Sequence, residues 1–259
     1  MTSWVHETII NFLHEHFILL FNQTYSQSRR NKIKICTNLK MDGFAKEYQD
    51  SVKTPDIGIF MSESDDAQYK HNVQDGLKWA LEVGFSQEYD DLREDLRLWL
   101  IGQPTCYMTV LINITESPKY QCPLDFDLDI CDKFNIPQDE SQITAKDFSL
   151  QGEYGPVMFK GYQWVGQISE VFLEIWTCNR RTGQLRREGR RMSIVPKGPE
   201  SPRFELADFL FIDKPQRTSF DWDEFRLKLK GCLRSYAVSR CREWLRQSRN
   251  RAGLVGDES

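Results

Sequence analysis

Two acids stand apart from the surface charges of this sequence: Asp56, which follows Pro55 at the start of the apolar run DIGIF, and Glu82, inside LKWALEVGF at 77–85. A run in which only Lys78 and Glu82 are charged reads as a strand buried on both faces. An ionised carboxylate is costly to bury there unless it is paired or holds a metal. If neighbouring strands bring Asp56 and Glu82 to one edge of a sheet, two carboxylates beside a backbone carbonyl, such as that of Val83, make an all-oxygen site suited to magnesium or manganese. Such a site can activate water and stabilise a phosphodiester transition state. Other assignments stay open at this level. Glu82 could sit in a buried salt bridge with Lys78, Arg93 or Arg97, and Asp56 could be a strand-start or turn residue after Pro55.

The elements that must position these acids are legible in outline. Trp4, Ile9, Phe12, Leu13, Phe17, Leu20 and Phe21 recur at three- and four-residue spacing, with Ser3 as the expected N-cap, and predict a helix over 4–21. NKIKICT at 31–37 alternates, and strands are expected at 56–60 and 77–85. Ser86 is the expected cap of a following helix, with Glu88, Asp90 and Asp91 in its first turn, Leu92, Leu96, Trp99 and Leu100 on its apolar face, and Gly102 and Pro104 ending it. YMTVLINI at 107–114 is a further buried strand, so a right-handed crossover and parallel pairing follow. Periodicity fades from 117 to 160, which reads as a loop insertion. There Asp125, Asp127 and Asp129 have calcium-loop spacing, but Ile130 and Ile136 stand where the turn glycine and the bidentate Glu belong, and an edge strand or surface loop is the better reading. Strands at 165–177 and 190–195 flank a turn at Thr182-Gly183, the stretch 207–210 follows a Pro-rich connector, and a helix is expected over 220–247. The expected organisation is one α/β domain over 1–259, with a core at 1–116 and a strand and helix extension at 161–259.

Composition excludes several classes. With 40% apolar and 28% charged residues in 259, the chain has the make-up of a globular protein that can bury a core without staples. No apolar stretch is long enough to cross a bilayer and no secretory leader is visible, so no membrane partner is expected and a cytoplasmic or nuclear location is. The seven cysteines form no CxxC or Cys/His cluster. The four histidines (6, 14, 16 and 71) lie away from any nucleophile motif, and there is no phosphate loop or dinucleotide fingerprint, hence no organic cofactor. The net charge of -4 divides into -11 over residues 1–159 and +7 over 160–259. Arg180, Arg181, Arg186, Arg187, Arg190 and Arg191, then the run from Arg226 to Arg251, make a polyanion the expected partner, against a plain solvated surface.

The order of a first helix, Pro55-Asp56, Glu82-Val83-Gly84-Phe85-Ser86, a helix ending Trp99-Leu100, and the strand VLINI resembles the PD-(D/E)xK restriction-endonuclease-like superfamily. LEVGFSQ, DLRLWL, VLINI and FLEIW are similar to a widespread group of fungal proteins assigned to that fold. The resemblance covers about residues 1–116 and, more loosely, 162–176. It implies a restriction-endonuclease-like core, a mixed central sheet flanked by helices, and a metal-dependent nuclease acting on DNA or RNA. Asp56 and Glu82 would hold magnesium or manganese with the Val83 carbonyl, and Glu7 on the first helix would be a further metal-binding acid. The family pattern places a lysine two positions after the glutamate, where this chain has Gly84. Lys78, Arg93 and Arg97 are the candidates to replace it, the two arginines being preferred as phosphate contacts. The alternative is a catalytically inactive member of the fold, acting as a nucleic-acid-binding or protein-interaction module.

Overall fold

The computed structural model describes residues 4–61, 76–122, 129–205, 217–251 and 253. The chain divides into two compact units. One is formed by residues 1–8, 115–169 and 226–259, the other by 9–114 and 170–225.

The second unit is built on a mixed sheet of six strands in the order β1-β2-β3-β4-β8-β9. β1 (Ile33–Cys36), β2 (Ile57–Met61) and β3 (Leu77–Phe85) pair antiparallel. β4 (Met108–Ser117) runs parallel to β3, Glu82 lying level with Leu111 and Gly84 with Asn113. That parallel pair needs a crossover, and α3 (Tyr89–Arg97), the next helix after α1 (Trp4–Thr24) and the short α2 (Gln27–Arg30), supplies it with a π-helical turn at Leu98–Gly102. β8 (Gln167–Asn179) and β9 (Gln184–Val195) form the long hairpin that extends the sheet beside β4.

Alternation along β3 sends Trp79 to one face and Ala80 and Glu82 to the other. On the Trp79 face lies α1 (Trp4–Thr24), whose Phe17 ring meets Trp79 edge-on at 4.8 Å. On the opposite face Leu92, Leu96, Trp99 and Leu100 pack with Ala80, Leu111, Phe172 and Trp176. Each such side chain, fully buried, contributes roughly 1.5–3 kcal/mol. The packing is what fixes α3 over Glu82.

Ser86 does not cap α3. It takes a left-handed conformation, φ 54°, and donates its N–H to Ile114 O, while the helix starts at Tyr89 with Glu88 at the N-cap. Phe85-Ser86 thus spends its backbone on leaving the sheet rather than on entering the helix. Ser3, and Ala207 to Leu210, fall outside the described residues.

In the first unit, residues 117–160 are more ordered than a loop insertion. They carry α4 (Asp129–Phe134) and, with residues up to 165, a three-stranded sheet of β5 (Ser149–Leu150), β6 (Val157–Phe159) and β7 (Tyr162–Val165). Strands of two to four residues are too short to display a period, which is why the sequence hides them. Asp129 opens α4, whereas Asp125 and Asp127 lie outside the described residues. Near the end of β4, buried Glu116 is held by Arg240 of the last helix, α5 (Trp222–Arg251), through N–O distances of 2.7 and 2.9 Å. The Arg240 guanidinium is in turn sandwiched by Tyr120 and Tyr236 at 3.9 and 4.2 Å. No helix among the described residues is long and apolar enough to cross a membrane.

Candidate active site

Asp56 precedes β2 by one residue, and Glu82 lies one residue past Leu81, the β3 partner of Ile57. At that end of the pairing Val83 donates its N–H to Asp56 Oδ2 at 2.7 Å, which brings the two acids to the same edge. The N–H and C=O of one strand residue point to the same neighbour. The Val83 carbonyl is therefore directed toward the Asp56 side of β3. Asp56, Glu82 and the Val83 main chain are thereby brought to one edge.

Glu82 is 6% exposed, and Trp99 donates its indole N–H to Oε1. Burial pushes the Glu82 carboxyl well above the usual carboxylate range, and the charge of Asp56 and then Asp95 pushes the same way. Lys53 and the Trp99 hydrogen bond oppose the shift. A buried carboxyl pushed up by the charge of a neighbouring acid marks a site short of positive charge.

Lys53 is the cation that the sequence reading missed. It lies three residues before Asp56 in SVKTPD, and its backbone is pinned on both sides, N–H to Met41 O at 2.9 Å and carbonyl from Met41 N–H at 2.8 Å. Its Nζ is 2.6 Å from Asp95 Oδ1 on α3. The only local signal was its being the nearest cation before Asp56; the loop from Met41 to Lys53 folds back by a single bridge that no periodicity announces.

The expected replacements for the motif lysine are placed elsewhere. Arg93 lies over the Trp176 ring at 5.5 Å and Arg97 faces Glu47 at 3.9 Å. Neither supplies the salt bridge weighed for Glu82, whose side-chain partner is the Trp99 indole. Lys78 is 5% exposed with Nζ at 5.5 Å from the Tyr107 ring. The β2–β3 register slips between Ile59 and Phe60, so that Phe60 meets Leu77, and the alternation counted from Glu82 does not carry through Lys78. Glu7 belongs to the other compact unit, where its carboxylate is 3.6 Å from His6 Nδ1.

Gly84 has no room for a lysine. A Cβ there would lie 2.3 Å from Leu92 Cδ1 and 3.1 Å from Asn113 Oδ1. Asn113 is 6% exposed and its Oδ1 has no hydrogen-bond partner. Among the described residues no three His, Cys, Asp or Glu side chains gather as a metal-binding group. The donor set that is present, two carboxylates with a main-chain carbonyl, is hard oxygen chemistry and fits magnesium, which keeps several waters and needs only one or two carboxylates. Comparisons of the chain with protein-family models, with curated proteins and with solved structures return no match.

Proposed function

We propose that this chain is a metal-dependent nuclease with a restriction-endonuclease-like core, hydrolysing phosphodiester bonds of DNA or RNA at the Asp56–Glu82 edge. The observation that carries the reading is the pairing of a buried glutamate with Asp56 across the end of β2 and β3, with Lys53 beside them. Asp56, Glu82 and the Val83 carbonyl would hold magnesium or manganese, which supplies Lewis-acid stabilisation of the phosphoryl oxygens and lowers the pKa of water.

The chain's own groups take the remaining tasks. Trp99 fixes the Glu82 carboxylate through Oε1. Lys53, steadied by Asp95, supplies the positive charge that the motif lysine gives elsewhere in the superfamily. Its ammonium can orient the attacking water and offset charge building on the phosphate. The π-helical turn that carries Trp99 is a device often found where a helix serves a site.

The test is cleavage of single- and double-stranded DNA and RNA by the purified chain in magnesium or manganese, beside Asp56→Ala, Glu82→Ala and Lys53→Met. Metal-dependent cleavage lost by at least about 100-fold in each variant is expected, the scale of removing one transition-state group. The packing of Gly84 favours a second reading, a binding module without catalysis. A folded wild type that cleaves none of the four substrates would establish that reading instead.

A further inference from the structure

Glu174 on β8 is completely buried, yet four donors converge on it. Tyr89 Oη and Trp176 Nε1 donate to Oε2 at 2.6 and 3.0 Å, and Arg187 Nη1 and Arg191 Nε donate to Oε1 at 2.9 Å each. A single carboxylate needs one cation; here it holds two, and both are more than a third exposed at their side chains. The reason lies in β9, where the register with β8 slips between Leu173 and Ile175 while Met192 gives way to Glu188. Two extra β9 residues there, about Gly189 at φ 68°, keep Arg187 and Arg191 on one face and draw Arg187 back opposite Trp176, so that both reach Glu174.

Aromatic rings floor Arg191 and a third arginine, Arg93. The Arg191 guanidinium is 3.7 Å from the Phe172 ring centroid and 5.1 Å from that of Tyr89. Arg93 of α3, nearly half exposed, rests over Trp176 at 5.5 Å, and among the described residues its ion pair is exposed Asp90 at 3.7 Å. Two guanidinium groups thus rest on aromatic rings, the third is held by Glu174, and all three side chains are more than a third exposed. Immobilised forks lose little entropy on meeting an anion, and their geometry suits phosphate oxygens.

We propose that this patch, Arg93, Arg187 and Arg191, is the surface on which the chain grips a nucleic-acid backbone, with Glu174 as the positioning residue. The inference rests on the nuclease reading for its choice of partner. Spacing supports it: β9 is three strands from β3 in the sheet, about 14 Å at the usual strand separation. That is about four base steps of duplex, so phosphates flanking a scissile one at Asp56 and Glu82 come within reach of the arginines. Arg186 on the same strand pairs with Thr177 rather than Trp176, hence faces the other side, and takes no part.

The experiment is fluorescence anisotropy of a labelled DNA duplex and single strand of about 20 nucleotides with the full chain in EDTA, over salt from about 50 to 200 mM. Arg93→Ala is expected to reduce the log–log salt slope by about 0.9 and the triple variant Glu174→Gln/Arg187→Gln/Arg191→Gln by about twice that, with at least about tenfold weaker binding at the lowest salt. The triple variant removes the charges together and so avoids stranding a buried carboxylate; Arg93→Ala strands no buried charge and tests the same surface if the triple variant fails to fold. Arg186→Ala should bind as the wild type does. The proposal is overturned if the wild type does not bind, if Arg93→Ala keeps wild-type affinity and slope, or if Arg186→Ala weakens binding as much as Arg93→Ala. Binding needs neither metal nor cleavage, so intact binding without any cleavage in magnesium would refute the catalytic reading alone, and cleavage with patch variants unaltered would refute the patch alone.

Discussion

Replacing Gly84 by alanine tests whether α3 seals the position where the family pattern places a lysine. The new Cβ would stand 2.3 Å from Leu92 Cδ1 and 3.0 Å from Leu92 Cδ2. Carbon atoms prefer about 3.5–4.0 Å, so the overlap exceeds an ångström and Leu92 must rotate or α3 must lift. Leu92 is 1% exposed and belongs to the cluster with Ala80, Leu96 and Leu111, so moving its methyls disturbs packed neighbours. Overpacking of this kind costs about 1–3 kcal/mol. The smaller entropy of the unfolded alanine chain returns about 0.4–1 kcal/mol. A net loss of about 1–2 kcal/mol is therefore expected. Leu92→Ala alone should cost about 2–5 kcal/mol by opening a cavity. In the double variant the alanine methyl at position 84 enters that cavity, and the total should fall short of the sum by about 1–3 kcal/mol. Urea denaturation of the four proteins, read as midpoint shifts at constant slope, measures the cycle. A neutral Gly84→Ala, or strict additivity, would refute the contact. Gly84→Lys should be less stable still and should not raise cleavage, because its side chain has no path past Leu92.

Other consequences are equally direct. The raised Glu82 carboxyl favours the folded state fully below the ordinary Glu value of 4.5, and that contribution is lost as pH rises through the raised value, so Glu82→Gln, neutral throughout, should be more stable than the wild type near neutral pH in EDTA while failing to cleave. Greater instability of Glu82→Gln in denaturation from pH 5 to 8 would contradict this. Glu174 behaves with the opposite sign: burial raises its carboxyl, but hydrogen bonds from Tyr89, Arg191, Trp176 and Arg187 outweigh it and hold the group below 4.5. Its contribution is present at neutral pH and is lost as pH falls through the lowered value, and the acid limb of a stability profile should flatten in Glu174→Gln. Arg240→Ala strands the buried Glu116 carboxylate and should cost about 3–5 kcal/mol in thermal unfolding, whereas Arg240→Met with Glu116→Leu should cost much less. Burial raises the thiols of Cys106 and Cys241 to about 12 and of Cys232 to about 11, so at pH 8 these three should resist a thiol reagent that modifies half-buried Cys36 and Cys178.

How much of this was legible in the chain differs by element. LKWALEVGF announced β3 to the residue, since nine nearly unbroken apolar positions bounded by turn-formers have one economical use, and the parallel β4 followed from the helix between them. Asp56 and Glu82 were visible as acids in costly places. Ser86 misled because its type suits a cap while its backbone, at positive φ, was needed to leave the sheet. Arg93 and Arg97 were drawn to the acids by their place, one turn apart, on the helix that follows Glu82; helical geometry turned one to Trp176 and the other to Glu47.

The sequence by itself determined the α/β class, the strands that carry the two acids and the apolar face that presses α3 onto them, because burial patterns and helix periodicity are local properties of the chain. Tertiary structure alone decided that Lys53, not a residue of β3 or α3, stands beside the acids. It also decided that Gly84 is sealed by Leu92, and that a bulge at Gly189 gathers Arg187 and Arg191 on one buried glutamate. Each depends on the register and closure of segments distant in sequence, whose partners exert no pull on the chain until it has folded.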